Sequence, residues 1–353
     1  MKNFNELLKK GFEFQKNNNF KEALKIYNEL IVQDEKNSQL LLFLGTLHLQ
    51  INKNEQAKNY LELSLDIDKN NIIATNNLAL VYEKLEKKDK AINLFKRSIE
   101  ISPNNPETFF RIANLYSSEK KYELAIKNYQ KAIELKPNFM FAYLNLGNAQ
   151  FESEFYEESI VSFEKSISFN RNFIPSYLNI CRALLKLEKY DQALKYSDEV
   201  IKLDKMNIQA NLIQGDINLF LKNFSNALKN YERIIKIEPT HSLVLGKLLH
   251  AKMFLHDWKN YKKLLGDIIK YVDKNIMVIH PSILLPLTDQ PDLHLKASKI
   301  YINQYYKKDI INQNIGFKKK TKINIGYFLF FFYEHATLRL MMYVFQHHDR
   351  SNF

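Results

Sequence analysis

The sequence has few residues that interrupt helices or cross-link chains. Its 353 residues include eight glycines, eight prolines, one tryptophan and one cysteine. A single cysteine excludes an intramolecular disulfide and favours a reducing compartment. The longest apolar run, Ile325–Tyr333, has nine residues, whereas a membrane-spanning helix needs about 20. Residues 1–8 lack the apolar core of a signal peptide. We therefore expect a mostly helical, soluble and cytoplasmic protein.

The net positive charge is spread along the chain. The formal net charge is +12, and lysines alternate with glutamates on the same predicted helices. A nucleic-acid surface would need a basic stripe with interleaved exposed aromatics, which the pattern does not contain. The sequence also has no spaced set of metal ligands and no glycine-rich phosphate loop. We expect no cofactor in this chain, and neither nucleic acid nor a membrane as a partner.

Small residues recur at a period of 34 without insertion or deletion. If the first period begins at Phe4, position 20 is occupied by Ala23, Ala57, Ala91, Ala125, Ser159, Ala193 and Ala227. Position 8 is occupied by Gly11, Gly45, Ala79, Ala113, Gly147, Cys181 and Gly215. Small side chains at both positions allow two helices of one period to approach closely. Cys181 is therefore interpreted as a packing residue.

Apolar and aromatic residues fill the rest of the period at helical spacing. Aromatics recur at positions 17 and 24, and prolines stand at position 32 in Pro103, Pro137 and Pro239, where a helix cannot continue. This pattern resembles the tetratricopeptide repeat family over seven repeats, 4–241. It predicts an all-α, right-handed solenoid. Residues 242–275 resemble a degraded capping repeat, with Leu249 at position 8 and Tyr261 at position 20.

Polar residues recur on the helix face predicted to line the inner wall of this solenoid. The candidate groove residues, at positions 6 and 9, are Asn77, Arg111, Asn114, Asn145, Asn148, Asn179 and Arg182. Amides offer both donors and acceptors, so a column of them could hold an extended peptide of a partner or acceptor protein by its backbone. The arginines would favour acidic peptides or a peptide carboxyl terminus. The alternative is that asparagine is simply abundant in this sequence.

The remaining residues predict a connector with one helix, 276–322, followed by a strand and a helix in 323–353. The connector stretch 281–301, together with the stretches Ile325–Phe328, Phe332–Thr337 and His348–Phe353, resembles bacterial proteins similar to protein O-linked N-acetylglucosamine transferase. That family joins tetratricopeptide repeats to a GT-B glycosyltransferase domain. The resemblance implies that UDP-N-acetylglucosamine is the donor, that protein Ser or Thr is the acceptor, and that His335 lies in the active site.

Two departures from that family weaken the expectation of activity. Leu329 and Phe331 stand where the family has serine and aspartate, and the chain contains only the start of the first lobe of the domain. We expect this chain alone to be inactive as a transferase. An alternative is a complete, non-catalytic interaction scaffold, and a third is a co-chaperone that binds peptide carboxyl termini. An unpaired strand edge would also allow self-association.

Overall fold

A computed structural model describes residues 2–305, with side chains from Phe4 onward. Every regular element in this range is helical. The predicted strand and helix of 323–353 lie outside the described residues. The first fourteen helices are α1 (Lys2–Lys16), α2 (Phe20–Ile31), α3 (Ser38–Gln50), α4 (Asn54–Ile67), α5 (Ile72–Lys84), α6 (Lys88–Ile101), α7 (Pro106–Ser118), α8 (Tyr122–Leu135), α9 (Met140–Glu152), α10 (Tyr156–Phe169), α11 (Ile174–Lys186), α12 (Tyr190–Leu203), α13 (Ile208–Phe220) and α14 (Phe224–Ile237).

These fourteen helices form seven antiparallel hairpins, one in each 34-residue window. Asparagine caps several of the first helices; the side chain of Asn37, for example, accepts a hydrogen bond from the backbone N–H of Leu40. Each first helix is followed by a residue in the left-handed conformation at position 15. That position is filled by Asn18, Asn52, Glu86, Lys120, Glu154, Glu188 and Lys222. One left-handed residue reverses the chain into the second helix.

The small residues bring the two helices of each hairpin together. A Cβ atom built on Gly147 would lie 2.6 Å from the ring of Phe163, and one built on Gly215 would lie 2.5 Å from the ring of Tyr231. Ala23, Ala57, Ala91, Ala125, Ala193 and Ala227 are completely buried. The predicted close approach at positions 8 and 20 is therefore present in the hairpins.

The first helices of successive repeats contact one another, as in the pairs α3 with α5 and α9 with α11. They form the inner wall of the solenoid, and the second helices lie outside them. We call the concave surface of this wall the groove. Exposed asparagines on the second helices, such as Asn59 and Asn93, lie outside the groove.

The last four α-helices of the described range form a different unit, which we call the terminal unit. They are α15 (Val244–Phe254), α16 (Tyr261–Asp273), α17 (Pro281–Leu284) with a 3₁₀ turn at Leu285–Leu287, and α18 (Pro291–Tyr305). The extended segment 276–279 packs against the start of α15. The N–H of Leu243 donates to Met277 O at 3.2 Å, and the N–H of Gly246 donates to Val278 O at 2.9 Å. The core of the unit includes Leu249, Ile268, Val278 and Ile279.

Candidate functional site

Side chains on neighbouring first helices pair with each other along the groove. Each pair joins position 6 of one repeat to position 9 of the repeat before it, 31 residues earlier. We call such a pair a groove pair. The hydrogen-bonded groove pairs are Asn77 with Thr46 at 2.8 Å, Asn145 with Asn114 at 2.9 Å, Asn179 with Asn148 at 2.8 Å, and Lys247 with Asp216 at 2.6 Å. Five of the seven predicted groove residues are in these pairs.

The two amide–amide groove pairs have a fixed polarity. In each, the Nδ2 group of the position 6 asparagine donates to the Oδ1 atom of the position 9 asparagine. Asn114 and Asn148 therefore use their oxygens inside the wall. Their Nδ2 groups donate to no group within residues 2–305. All four asparagines are half-buried, so they remain partly accessible to solvent.

Tyrosines at position 24 hold several groove residues from behind. The Tyr129 hydroxyl donates to Asn114 Oδ1 at 2.6 Å, and the Tyr231 hydroxyl donates to Asp216 Oδ1 at 2.7 Å. Burial raises the pKa of both tyrosines well above its ordinary value, so both remain protonated donors. The sequence pattern predicted only packing for position 24. A tyrosine rather than a phenylalanine there was the available signal.

The two predicted arginines do not pair with asparagine across repeats. Arg111 lies 3.7 Å from Glu83 and 3.4 Å from Glu107, measured between guanidinium nitrogen and carboxylate oxygen. Arg182 is exposed and its guanidinium lies 4.7 Å from the centre of the Phe151 ring. Arg111 is thus partly neutralised by its neighbours, whereas Arg182 presents its charge to the groove. The predicted residues are spread over four repeats.

The amino-terminal end of the groove is apolar. The equivalent groove pair of repeats 1 and 2 is Phe12 with Phe43, whose rings stack with centroids 4.8 Å apart. A cavity of about 650 Å³ opens beside them. Its lining residues are Asn5, Leu8, Lys9, Phe12, Gln15, Gln39, Leu42, Phe43, Thr46 and Ile73. This cavity was not predicted from the sequence, because the prediction of groove residues was based on recurring polar positions.

A second cavity, of about 510 Å³, lies where α15 meets α17. Its walls include His250, Met253, Phe254 and Ile283. Burial lowers the pKa of His250, so this histidine is neutral at pH 7. All seven residues that line this cavity belong to the terminal unit.

The predicted catalytic residue His335 lies outside the described residues, as do Leu329 and Phe331. Within residues 2–305, no group of three or more His, Cys, Asp or Glu side chains is placed to hold a metal ion. None of the helices in this part of the chain is both long and apolar enough to cross a membrane.

A solenoid of helical hairpins that share a polar groove is the architecture of repeat proteins. Tetratricopeptide repeat models match residues 38–71, 72–105, 94–127, 113–154, 142–173 and 178–242, which together make up more than half of the chain. The chain belongs to the tetratricopeptide repeat family. No curated protein matches it.

Solved structures share the fold. The C-terminal part of a TPR repeat-containing protein from Cytophaga hutchinsonii is 18% identical, with a TM-score of 0.63 over 68% of this chain and 99% of that one. YrrB, described as a TPR protein with an unusual peptide-binding site, is 18% identical, with a TM-score of 0.48 over 52% of this chain and 95% of that one. MamA from Desulfovibrio magneticus RS-1 is 19% identical, with a TM-score of 0.46 over 48% of this chain and 96% of that one. At these identities the likeness shows the fold alone.

Proposed function

We propose that the groove is a protein-interaction surface that holds an extended segment of a partner protein by its backbone. The observation that carries this proposal is the polarity of the two amide–amide groove pairs. Asn114 and Asn148 use their oxygens within the wall and leave their N–H groups unused. Asn145 leaves its oxygen unused among the described residues, and the oxygen of Asn179 lies 3.4 Å from Arg182.

The Asn114–Asn145 pair therefore offers both a donor and an acceptor to the groove, and the Asn148–Asn179 pair offers a donor beside an acceptor that already receives a hydrogen bond from Arg182. An extended peptide backbone presents one N–H and one C=O group per residue, and it can satisfy both kinds of group without regard to its side chains. The amides are already oriented by their bonds to each other and, for Asn114, by Tyr129. Little conformational entropy is then lost when a peptide binds, which favours affinity.

A pair of double variants tests this proposal. The variant Asn148→Ala/Asn179→Ala removes one groove pair, and the control Asn59→Ala/Asn93→Ala removes two exposed asparagines on second helices. Each protein is applied to an array of peptides with unrelated sequences. We expect the groove variant to lose signal across the array by about tenfold, which corresponds to about 1.4 kcal/mol, whereas the control retains it. Equal signals from the two variants, with equal thermal unfolding midpoints, would contradict backbone binding in the groove.

A finer proposal concerns the reaction that this groove would serve. On the resemblance of 281–301 and 325–353, we propose that the repeats present acceptor proteins to a protein O-GlcNAc transferase-like domain, of which this chain holds the start. None of the tetratricopeptide matches reaches these residues, so the support is the sequence pattern alone. The alternative is a non-catalytic scaffold.

One assay distinguishes the transferase hypothesis from the scaffold hypothesis. The purified 353-residue chain is incubated with radiolabelled UDP-N-acetylglucosamine and a protein extract as acceptor. We expect no incorporation from this chain alone, and activity only when the chain is extended by a complete glycosyltransferase domain. Incorporation that is lost in His335→Ala would show that this chain is itself active. If the natural full-length protein has no such domain and no activity, the scaffold hypothesis is correct.

A further inference from the structure

We propose that the amino-terminal end of the groove is an anchor site for one large apolar side chain of the bound segment, next to a carboxylate of that segment. The proposal rests on the proposed function, because it names the chemistry of the partner that the groove would hold. The site is the cavity beside Phe12 and Phe43. Its walls are mainly apolar, whereas the amide–amide groove pairs present polar groups to the groove.

The floor of this cavity is apolar. Leu8 and Leu42 are buried, Phe12 stacks on Phe43, and Ile73 projects from the third repeat with 61% of its surface exposed. Phe12 itself is 43% exposed. Phe12 and Ile73 are large apolar side chains exposed to water around one cavity. Covering them with an apolar group lowers the free energy of the system. A segment that enters here would therefore place an aromatic or leucine side chain between Phe12 and Ile73.

Two polar side chains in the wall of the cavity, Gln15 and Thr46, are already satisfied, and the other two, Asn5 and Gln39, are exposed to solvent. Gln15 accepts a hydrogen bond from the Tyr27 hydroxyl at 2.9 Å and donates to Gln50 Oε1 at 2.8 Å. The Thr46 hydroxyl donates to Leu42 O at 2.7 Å and accepts from Asn77 at 2.8 Å. These groups make no demand for a further partner. An apolar occupant can thus enter without leaving a buried polar group unpaired.

The rim of the cavity carries one charge. Lys9 is the only charged residue among the ten that line it, and its side chain is exposed. Because no lining carboxylate neutralises Lys9, the cavity complements a negative group on the occupant. The Asn77–Thr46 groove pair adjoins the cavity, so the backbone of an anchored segment would continue along the groove towards the amide–amide groove pairs. The occupant is therefore an extended partner peptide with a large apolar residue beside an acidic one.

Fluorescence anisotropy with designed peptides tests the anchor. The probe is a fluorescein-labelled Gly-Ser peptide with a Leu-Phe pair flanked by glutamates, made with the pair at either end. A second peptide has Ser in place of Leu and Phe, and a third has Gln in place of Glu. We expect the wild-type chain to bind one orientation of the probe at least about tenfold more tightly than the serine peptide. The glutamine peptide should bind several-fold more weakly than the probe, and less dependently on salt.

Three variants locate the binding. Phe12→Ala and Ile73→Ser should each reduce the preference for the Leu-Phe pair by about tenfold. Lys9→Glu should reverse the preference for glutamate over glutamine. The matched control Val161→Ala changes a side chain that is 62% exposed on a second helix, and it should change nothing. Ile73→Ser keeps the Phe12–Phe43 stack intact, so a folding defect of Phe12→Ala does not decide the test.

The outcomes separate the anchor from the groove. If the wild-type chain binds the serine peptide and the probe equally, the groove proposal stands and the anchor proposal is wrong. If neither peptide binds, both proposals fail for this chemistry. If Phe12→Ala alters only the sedimentation coefficient of the free chain and not the preference for the pair, the cavity is a contact between two copies of the chain, and the anchor proposal is overturned.

Discussion

Helices α15 and α16 of the terminal unit are about as long as the helices of the seven hairpins, but they pack in the opposite way at one position. In the hairpins, position 8 is small and meets the second helix directly, as Gly147 meets Phe163. In the terminal unit the corresponding residue is Leu249, which is 1% exposed and part of the core with Ile268 and Val278. The closest approach there is instead made by Gly246 to the backbone of Ile279.

This difference shows what closes a tetratricopeptide hairpin. A leucine at position 8 and a tyrosine at position 20 are too large for two helices to meet, so α15 and α16 make few contacts with each other. The extended segment 276–279 packs against α15 instead. The closed hairpins therefore number seven among the described residues, and α15 still contributes a groove pair, Lys247 with Asp216.

Leu249→Ala should lower the free energy of unfolding by about 3 kcal/mol, since a buried leucine is replaced and the surrounding backbone fixes the cavity. If the window 242–275 could close as an ordinary hairpin, a small residue at position 8 would be tolerated. Urea unfolding followed by circular dichroism measures the change. The control is Leu255→Ala, at a residue that is 36% exposed, where a loss comparable to that of Leu249→Ala would contradict our explanation.

Gly147→Leu gives a hairpin the leucine that the terminal unit has at position 8. It should lower the free energy of unfolding by about 3 kcal/mol, because the new side chain overlaps the Phe163 ring. The same substitution at Gly266 in α16 is the matched control. Nothing lies within 4 Å of a Cβ atom there, and leucine should stabilise the helix by up to about 1 kcal/mol. Thermal unfolding of both variants compares them. Equal midpoints would mean that position 8 does not determine hairpin closure.

Gly246→Ala should destabilise the chain by about 2 kcal/mol. The added Cβ atom would lie 2.9 Å from Ile279 Cα, which is backbone and cannot rotate away. Hydrogen exchange should show faster exchange at the Gly246 amide, which donates to Val278 O, while the amides of α9 are unchanged. A variant as stable as wild type would show that segment 276–279 does not fix the terminal unit.

Glu86→Gly should stabilise the chain by about 0.5 kcal/mol. Glu86 has a φ of 58° at the turn between the two helices of its hairpin, and a left-handed conformation costs a residue with a side chain more than glycine. Part of the gain is offset by the larger entropy of glycine in the unfolded chain. Asn52→Gly is the control at the equivalent turn, where φ is 59°, and asparagine already tolerates this conformation. A larger gain at Asn52 than at Glu86 would contradict this reason.

Much of the candidate site was predictable because it repeats. The recurrence of asparagine at positions 6 and 9 placed Asn77, Asn114, Asn145, Asn148 and Asn179 on the inner wall. The hydrogen bonds that they make across repeats were not predictable, since a groove pair joins two repeats and its distance depends on how those repeats stack. The apolar cavity was also missed, because Phe12, Phe43 and Ile73 do not recur at one position.

The sequence by itself determined the family, the 34-residue period and the close approach within each hairpin. These follow from short-range rules: a period, and a side chain too small to keep two helices apart. Only the tertiary structure decided the hydrogen-bond polarity of the groove and the fate of the last window. Both depend on atoms from separate segments that meet after the solenoid has stacked, as Asn179 meets Asn148 and Gly246 meets Ile279.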